Sequence, residues 1–298
     1  IAVIPKGTTH EFWKSIHAGA VKASRELDVE IVWKGPLKED DLKSQIDLVQ
    51  SFTAQGVSGI VLAPLNDKGL VSAVKSAARS RVPVVIMDSA LQGDHHTSFV
   101  ATDNLAAGRL AGEGLAKRLD GKGGVLLLRY QEGSASTSKR EQGFLDAIGK
   151  HEGIEILSDN RYGGATTESA FKAAENLLLA HKAAEGAVGG VFCPNESTTF
   201  GMLLALQKTG LAGKIRFIGF DSSDKLVRGL KDKQLDGLVL QNPFEMGYLG
   251  VKTMVAHLRG DKVDPVVHTA SHLITGDNMD EPKMKELLSP DLNKWLGQ

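Results

Sequence analysis

A single cysteine, Cys193, stands in this 298-residue sequence. It excludes an intrachain disulfide and leaves the redox compartment open. No apolar run approaches the ~20 residues that a membrane-spanning helix needs, so stable membrane insertion is not expected. Neither sign of charge prevails. Thirty-five Lys and Arg against 36 Asp and Glu leave a formal net charge of −1, which argues against a nucleic-acid surface and against a polybasic membrane anchor. A Gly-x-Ser-x-Gly nucleophile elbow is missing. Gly112-Glu-Gly114 and Gly121-Lys-Gly-Gly124 lack the dinucleotide and Walker spacings, and the latter precedes a strand instead of following one. They read as helix packing and as a turn. Asp94-His95-His96 offers adjacent histidines that point in different directions, with no second ligand cluster nearby in sequence. It reads as a surface loop, and neither a metal nor a cofactor is expected. A linker rich in Pro, Ser or charge is also absent, so the halves are expected to be joined by strands that pass directly between them.

What is present is an ordinary globular composition, 42% hydrophobic and 24% charged, in a length that allows two domains of about 150 residues. One plan occurs twice. Gly59-Ile-Val-Leu-Ala-Pro64 and Pro83-Val-Val-Ile-Met-Asp88 are matched by Gly190-Val-Phe-Cys-Pro194 and Arg216-Phe-Ile-Gly-Phe-Asp221. Each run is short, rich in β-branched or aromatic residues, bounded by Gly or Pro, and ends in a polar residue. Those are the marks of buried parallel strands, whose carboxyl ends are where open α/β sheets bind ligands.

Strand and helix patterns alternate along the chain. Strands are expected at 1–5, 30–33, 59–63, 84–87, 124–128, 154–157, 191–193 and 217–220. Between them, Trp13, Ile16, Ala20, Ala23 and Leu27 share one helical face, as do Leu42, Ile46 and Val49. Further helices are expected near 70–79 and at 140–151, 168–180, 198–209 and 224–231. The pattern predicts α/β architecture with parallel sheets covered on both faces. Segments 96–101 and 235–240 read as fifth strands, ending in Thr102-Asp-Asn104 and Gln241-Asn-Pro243, each followed by an amphipathic helix. The unit from 244 to 269 is expected to rejoin the first half and the tail from about 273 the second. This divides the chain into lobes 1–102 plus 242–271 and 103–241 plus 272–298, joined by a three-segment hinge. The first strand begins at Ile1, which suggests a processed leader or a trimmed chain.

The sequence resembles the type I periplasmic sugar-binding proteins of ABC transporters, especially the ribose-binding-like branch. The likeness rests on the opening from Ile1 to Trp13, on Ala63-Pro-Leu-Asn66, Val85-Ile-Met-Asp88, Thr102-Asp-Asn104, Lys139-Arg-Glu-Gln-Gly-Phe144, Pro194-Asn195-Glu196, Gly219-Phe-Asp221 and Gln241-Asn-Pro243. It implies two Rossmann-like lobes, a three-segment hinge, and one small ligand, usually a monosaccharide, in the cleft. It also implies an extracytoplasmic, monomeric protein that serves a membrane permease. Two other classes share such sheets: the effector domain of a lactose-repressor-type regulator, and a sugar-modifying enzyme.

Sugar hydroxyls both donate and accept, and a sugar also has an apolar C–H face, so planar polar side chains and a ring are wanted. Phe12 and Trp13 are placed to supply the ring or to pack in the core. Asp88 and Asp221 read as ligand acceptors or as helix N-caps, and the resemblance assigns both to the cleft. Arg140 offers a fork of donors or an ion pair with Glu141 or Glu132. Asn195 and Gln241 carry amides that suit a ligand, a turn or a hinge. Thr102 divides between hinge geometry and one hydroxyl contact. Lys6 and His10 depart from the ribose-binding pattern, with His10 reading as a ligand contact or as an exposed histidine near a helix start, and Pro5-Lys6 with Asp88-Ser89 is more similar to the autoinducer-2-binding branch. Lys6 suits a ring or carbonyl oxygen, a carboxylate or phosphate, or neutralisation of Asp88. The Gly- and Ser-rich segment 131–138 is expected to be a loop facing the cleft.

Overall fold

The computed structural model describes residues 1–297. Strands β1 (Ala2–Ile4), β2 (Val32–Trp33), β3 (Ile60–Leu62), β4 (Val84–Met87) and β5 (Ser98–Thr102) alternate with helices α1 (Glu11–Leu27), α2 (Leu42–Ala54) and α3 (Val71–Arg79). The chain then runs through α4 (Asn104–Arg118), β6 (Lys122–Arg129), α5 (Ala135–Ile148), β7 (Gly153–Tyr162), α6 (Thr167–Ala180), β8 (Gly190–Phe192), α7 (Glu196–Lys208), β9 (Arg216–Phe220), α8 (Asp224–Lys231) and β10 (Gly237–Leu240). It closes with α9 (Pro243–Leu258), β11 (Val266–Thr269), β12 (His272–Ile274), α10 (Pro282–Leu288) and α11 (Asn293–Leu296).

Two six-stranded sheets result, ordered β11-β5-β4-β3-β1-β2 and β12-β10-β9-β8-β6-β7. Every pairing is parallel except β10 with β12. Both faces of each sheet are buried. Ala2 and Ile4 enter one core cluster while Val3 enters another, and Leu126 and Leu128 separate from Val125 and Leu127 in the same way. This period-two alternation explains why the strands read as continuous apolar runs.

Three strand ends cross between the sheets. β5 belongs to the first sheet, but the helix after it packs on β8, β9, β10 and α5 of the second. β10 belongs to the second, but α9 packs on α1, β3, β4 and β5 of the first. β11 then pairs with β5 and β12 with β10. The two crossing helices start alike: Asp103 accepts from the amide of Ala106 at 3.0 Å, and Asn242 accepts from that of Glu245 at 3.1 Å with Pro243 in the first turn. Each side chain satisfies an amide that the helix start leaves unpaired.

Glycine sets how closely helices approach. A Cβ on Gly19 would lie 1.9 Å from the Phe244 carbonyl oxygen, and one on Gly108 would lie 2.0 Å from that of Arg140. The first contact seats α1 on α9, and the second seats α4 on α5, the helix that carries Arg140 into the cleft.

Three elements differ from the sequence expectations. Helix α5 starts at Ala135 rather than 140, so much of the segment read as a loop is helical. Ser134 occupies the cap position, and its carbonyl accepts from Ser138 N–H and the Thr137 hydroxyl. Strand β7 runs for ten residues, well beyond 154–157, because it is an edge strand whose exposed polar residues hide the apolar pattern. The tail does not stay with the second lobe throughout. Met284 and Leu288 of α10 join its core, but α11 lies on α1, with Trp295 6.1 Å from the Phe244 ring and Arg25 5.6 Å from the Trp295 ring. An aromatic and cation–π contact surface on α1 and α9 draws it there. Position 298 lies outside the described residues.

Candidate functional site

The carboxyl ends of both sheets face one small, closed-down cavity of about 30 Å³, room for a water or two as the lobes stand and far below the ~300–1,000 Å³ of an open small-molecule cleft. The first lobe supplies Lys6 after β1, His10, Phe12 and Trp13 at the start of α1, Glu39 from the loop before α2, and Asp88 after β4. The second supplies Tyr130 after β6, Ser136, Thr137 and Arg140 from α5, Asn195 and Glu196 at the start of α7, and Asp221 after β9. Gln241 comes from the crossing after β10. Ser89 and Thr102 lie just behind the lining: the Ser89 hydroxyl accepts from the Ser136 amide at 3.1 Å, and the Thr102 hydroxyl donates to Gln241 Oε1 at 2.8 Å.

Asp88 and Asp221 are equivalent in backbone as well as in position. Both adopt the left-handed conformation, with φ of 62° and 66°, a region that costs most non-glycine residues energy and that aspartate tolerates better than most. Neither is the N-cap of a helix that follows it, although Asp221 Oδ2 accepts from the Glu196 amide at the start of α7 at 3.2 Å. The cap of α8 is Ser223, and no helix follows Asp88 directly. The same backbone turn at matched places on the two lobes aims both carboxylates into one cavity.

The charges are largely paired. Lys6 Nζ lies 2.8 Å from Asp88 Oδ2 and donates to Ser136 Oγ at 3.1 Å, so its neutralising role is met and it is no free anion site. His10 Nδ1 lies 2.8 Å from Glu39 Oε1, and Trp13 Nε1 donates to the same oxygen at 2.6 Å. Burial opposes a charged His10, but the hydrogen bond and charge of Glu39, with Glu196 and Asp221 nearby, outweigh it and raise its pKa to about 9. Burial likewise opposes the Glu39 carboxylate. His10, Lys6 and the Tyr130 hydroxyl overcome that and bring it to about 2. Glu196 is different: burial first, then repulsion from Asp221 and Glu39, raise it to about 7 against the pull of His10. Asp221 is also raised, by burial, although Arg140, Gln241 and the Glu196 amide pull the other way.

Arg140 is 2% exposed. Its Nε donates to Asn104 Oδ1 at 2.7 Å, its Nη1 to the Pro194 carbonyl at 3.0 Å, and its guanidinium carbon stands 4.0 Å from the centre of the Phe220 ring. Nη1 is 4.0 Å from Asp221 Oδ2, too far for a hydrogen bond. Nη2 is buried and has no hydrogen-bond partner among the described residues. Neither Glu141 nor Glu132 pairs with this side chain, because Glu141 turns to Arg129 and the Tyr130 amide.

Two amides in the lining are already engaged. Asn195 Oδ1 caps α7, accepting from the amide and hydroxyl of Thr198 at 3.3 and 2.6 Å, while its Nδ2 donates to Ser197 Oγ at 3.0 Å. Gln241 accepts from Thr102 and donates to Asp221 Oδ1 at 2.8 Å, tying a hinge strand to a jaw. Phe12 and Trp13 meet edge to face at 4.9 Å and 86°. Trp13 is buried, and Phe12 keeps more exposed surface toward the cleft.

Sequence reasoning missed Glu39, Tyr130, Ser136, Thr137 and Glu196 in the lining. The polar-residue-at-strand-end rule that picked out Asp88 applies equally to Tyr130 after β6, and Glu196 directly follows Asn195. Ser136 and Thr137 fall in the segment expected to face the cleft. Glu39 carries no local signal, since it sits mid-loop among other charged residues.

The chain belongs to the periplasmic binding protein domain family, which matches residues 1–262, in its two-lobed type I form. It is 27% identical over 264 residues to the ribose import binding protein of Haemophilus influenzae, covering 89% of this chain and 87% of that one. It is 29% identical over 287 residues to the D-ribose/D-allose-binding protein of Pseudomonas aeruginosa, covering 92% and 88%. Among solved structures it is similar to a carbohydrate transporter solute-binding protein from Agrobacterium radiobacter in complex with D-arabinose, at 33% identity, TM-score 0.91, and 97% and 98% coverage. An ABC transporter solute-binding protein from Agrobacterium vitis with bound D-fucose matches equally, at 33%, 0.91, and 97% and 99%. No helix among the described residues is long and apolar enough to cross a membrane.

Proposed function

We propose that this protein is an extracytoplasmic solute-binding protein that captures one small neutral sugar between its lobes by hinge closure and presents the closed form to an ABC transporter permease. The observation that carries the reading is Arg140 Nη2, a buried charged donor without a partner among the described residues, in a cavity lined by Asp88 from one lobe and Asp221 from the other. A buried donor left unsatisfied costs roughly 1–3 kcal/mol, and a sugar oxygen relieves that cost. The Phe12 ring covers the C–H face, while Asp88 and Asp221 accept hydroxyls. Because the ligand touches both lobes only when they are closed, its binding shifts the equilibrium toward that state. Lys6 and Arg140 each already have a carboxylate beside them, Asp88 at 2.8 Å from Lys6 and Asp221 at 4.0 Å from Arg140, which favours neutral sugars over sugar acids and phosphates. The relatives that bind ribose, allose, arabinose and fucose support the same class.

The test is a thermal-shift screen over pentoses, hexoses, polyols, sugar acids and sugar phosphates, followed by calorimetry and by mass analysis of the recovered ligand. A neutral sugar is expected to raise the unfolding midpoint, as a ligand that binds only the native state must, and to be recovered unchanged. Turnover of the sugar, or stabilisation by none of the panel, refutes the reading.

A further inference from the structure

Glu39 is the point at which the contacts of both lobes converge. Its carboxylate is buried and accepts from three side chains that themselves line the cavity: His10 and Trp13 of the first lobe, and the Tyr130 hydroxyl of the second. Its main chain takes part as well, because the Glu39 carbonyl accepts from Gln131 Nε2 at 2.9 Å. Other bonds between the lobes exist, from Lys6 to Ser136, from the Ser136 amide to Ser89, and from the Asp67 amide to the Gly133 carbonyl. Lys6 also ties Asp88 to Ser136 across the cleft, and the Phe12 amide donates to Glu196 Oε2 at 3.5 Å, but Glu39 accepts from three cavity side chains at once.

We propose that Glu39 is a positioning residue and latch: it fixes the His10 imidazole and the Trp13 indole on the first lobe and, by accepting the Tyr130 hydroxyl, holds a fraction of the molecules closed before any ligand arrives. The inference rests on the closure reading above. A charged acceptor in a dry site makes one of the stronger hydrogen bonds available to a side chain. Opening the cleft breaks the bond to Tyr130 but leaves those to His10 and Trp13, so the first lobe keeps its contact surface assembled while the second moves away. Ligand then meets a preformed half-site, and the cost of populating the competent state is lowered in advance.

Spin labels report the lobe separation without any ligand. Gln50→Cys on α2 and Glu155→Cys on β7 place one exposed label on each lobe, and the native Cys193 is buried and inaccessible to the reagent. The distance distribution of the otherwise unaltered chain is expected to hold an open and a closed component. Tyr130→Phe removes one hydroxyl and is expected to lower the closed-to-open ratio about tenfold, the size of a lost charge-assisted bond. Glu39→Gln is expected to do the same and also to shift the Trp13 fluorescence by more than Tyr130→Phe does, since it alters the acceptor of the indole N–H as well as the cleft. A lower unfolding midpoint with an unchanged ratio means that Tyr130 and Glu39 only stabilise the fold, and it overturns the latch. An unmodified chain that is wholly open without ligand overturns it too. One fixed distance in every variant, with and without the sugar found in the screen, overturns the closure reading together with the latch.

Discussion

Replacing Gly108 by alanine adds one methyl group at a place where the structure has no room for it. The new Cβ would stand 2.0 Å from the Arg140 carbonyl oxygen, 2.7 Å from its carbon and 2.8 Å from its Cα, all backbone atoms that cannot rotate away. Cβ contacts under 3.0 Å are essentially never seen, so α5 must retreat from α4 by at least about 1 Å. Overpacking of this kind costs about 1–3 kcal/mol, and the better helix propensity of alanine returns about 0.8–1 kcal/mol. A net loss of up to about 2 kcal/mol lowers the unfolding midpoint by up to about 3 °C for a chain of 298 residues. Helix α5 carries Ser136, Thr137 and Arg140, whose bonds to Lys6 and Asn104 are 3.1 and 2.7 Å long and do not survive such a retreat. Affinity for the sugar should therefore fall at least about tenfold, the scale of one lost charged hydrogen bond. Differential scanning calorimetry and isothermal titration measure both effects. Gly276→Ala is the control, since nothing stands within 4 Å of its Cβ. A Gly108→Ala protein with an unchanged midpoint and full affinity refutes the claim that glycine sets the α4–α5 spacing and through it the position of Arg140.

Three further outcomes follow from the site. Asp88→Asn with Asp221→Asn keeps side chains that tolerate the left-handed backbone but removes both carboxylates, and calorimetry should show an affinity loss of about 100-fold or more; unchanged binding would rule out the opposed-jaw arrangement. The His10 pKa is raised from 6.5 to about 9, so its contribution to stability is complete below about 6.5 and is lost as pH rises through about 9. The midpoint should drop between pH 7 and 10, and His10→Gln should remove most of that dependence. Glu196 is raised from 4.5 to about 7; the native state holds its proton more tightly, so its contribution is complete below about 4.5 and fades as pH rises through about 7. Glu196→Gln should flatten the stability profile across that window, and a profile identical to that of the unaltered protein counts against the buried position of this carboxyl.

The buried strands were the most legible part of the sequence because a parallel strand covered on both faces needs apolar residues at every position. β4 and α8 fall at the residues expected, and the crossing helices announce themselves through Asp103, Asn242 and Pro243, whose capping chemistry is local. Legibility fails where an element is held by distant contacts. β7 is an exposed edge, the start of α5 is written in small polar residues that suit loops equally well, and α11 is seated by Phe244 and Arg25, far away in sequence.

The sequence by itself determined the α/β repeat, the duplication, and the polar residues at matched strand ends, because hydrophobic periodicity and helix capping act over a few residues. Only the tertiary structure decided which of those polar groups remain available. It commits Asn195 to a helix cap, Gln241 to the hinge and Lys6 to Asp88, and it leaves Arg140 Nη2 unpaired among the described residues. It also brings in Glu39, from a loop with no motif, as the acceptor for three cavity side chains on two lobes. A hydrogen bond is a property of two groups, and its second member is chosen by the packing of segments far apart in the chain.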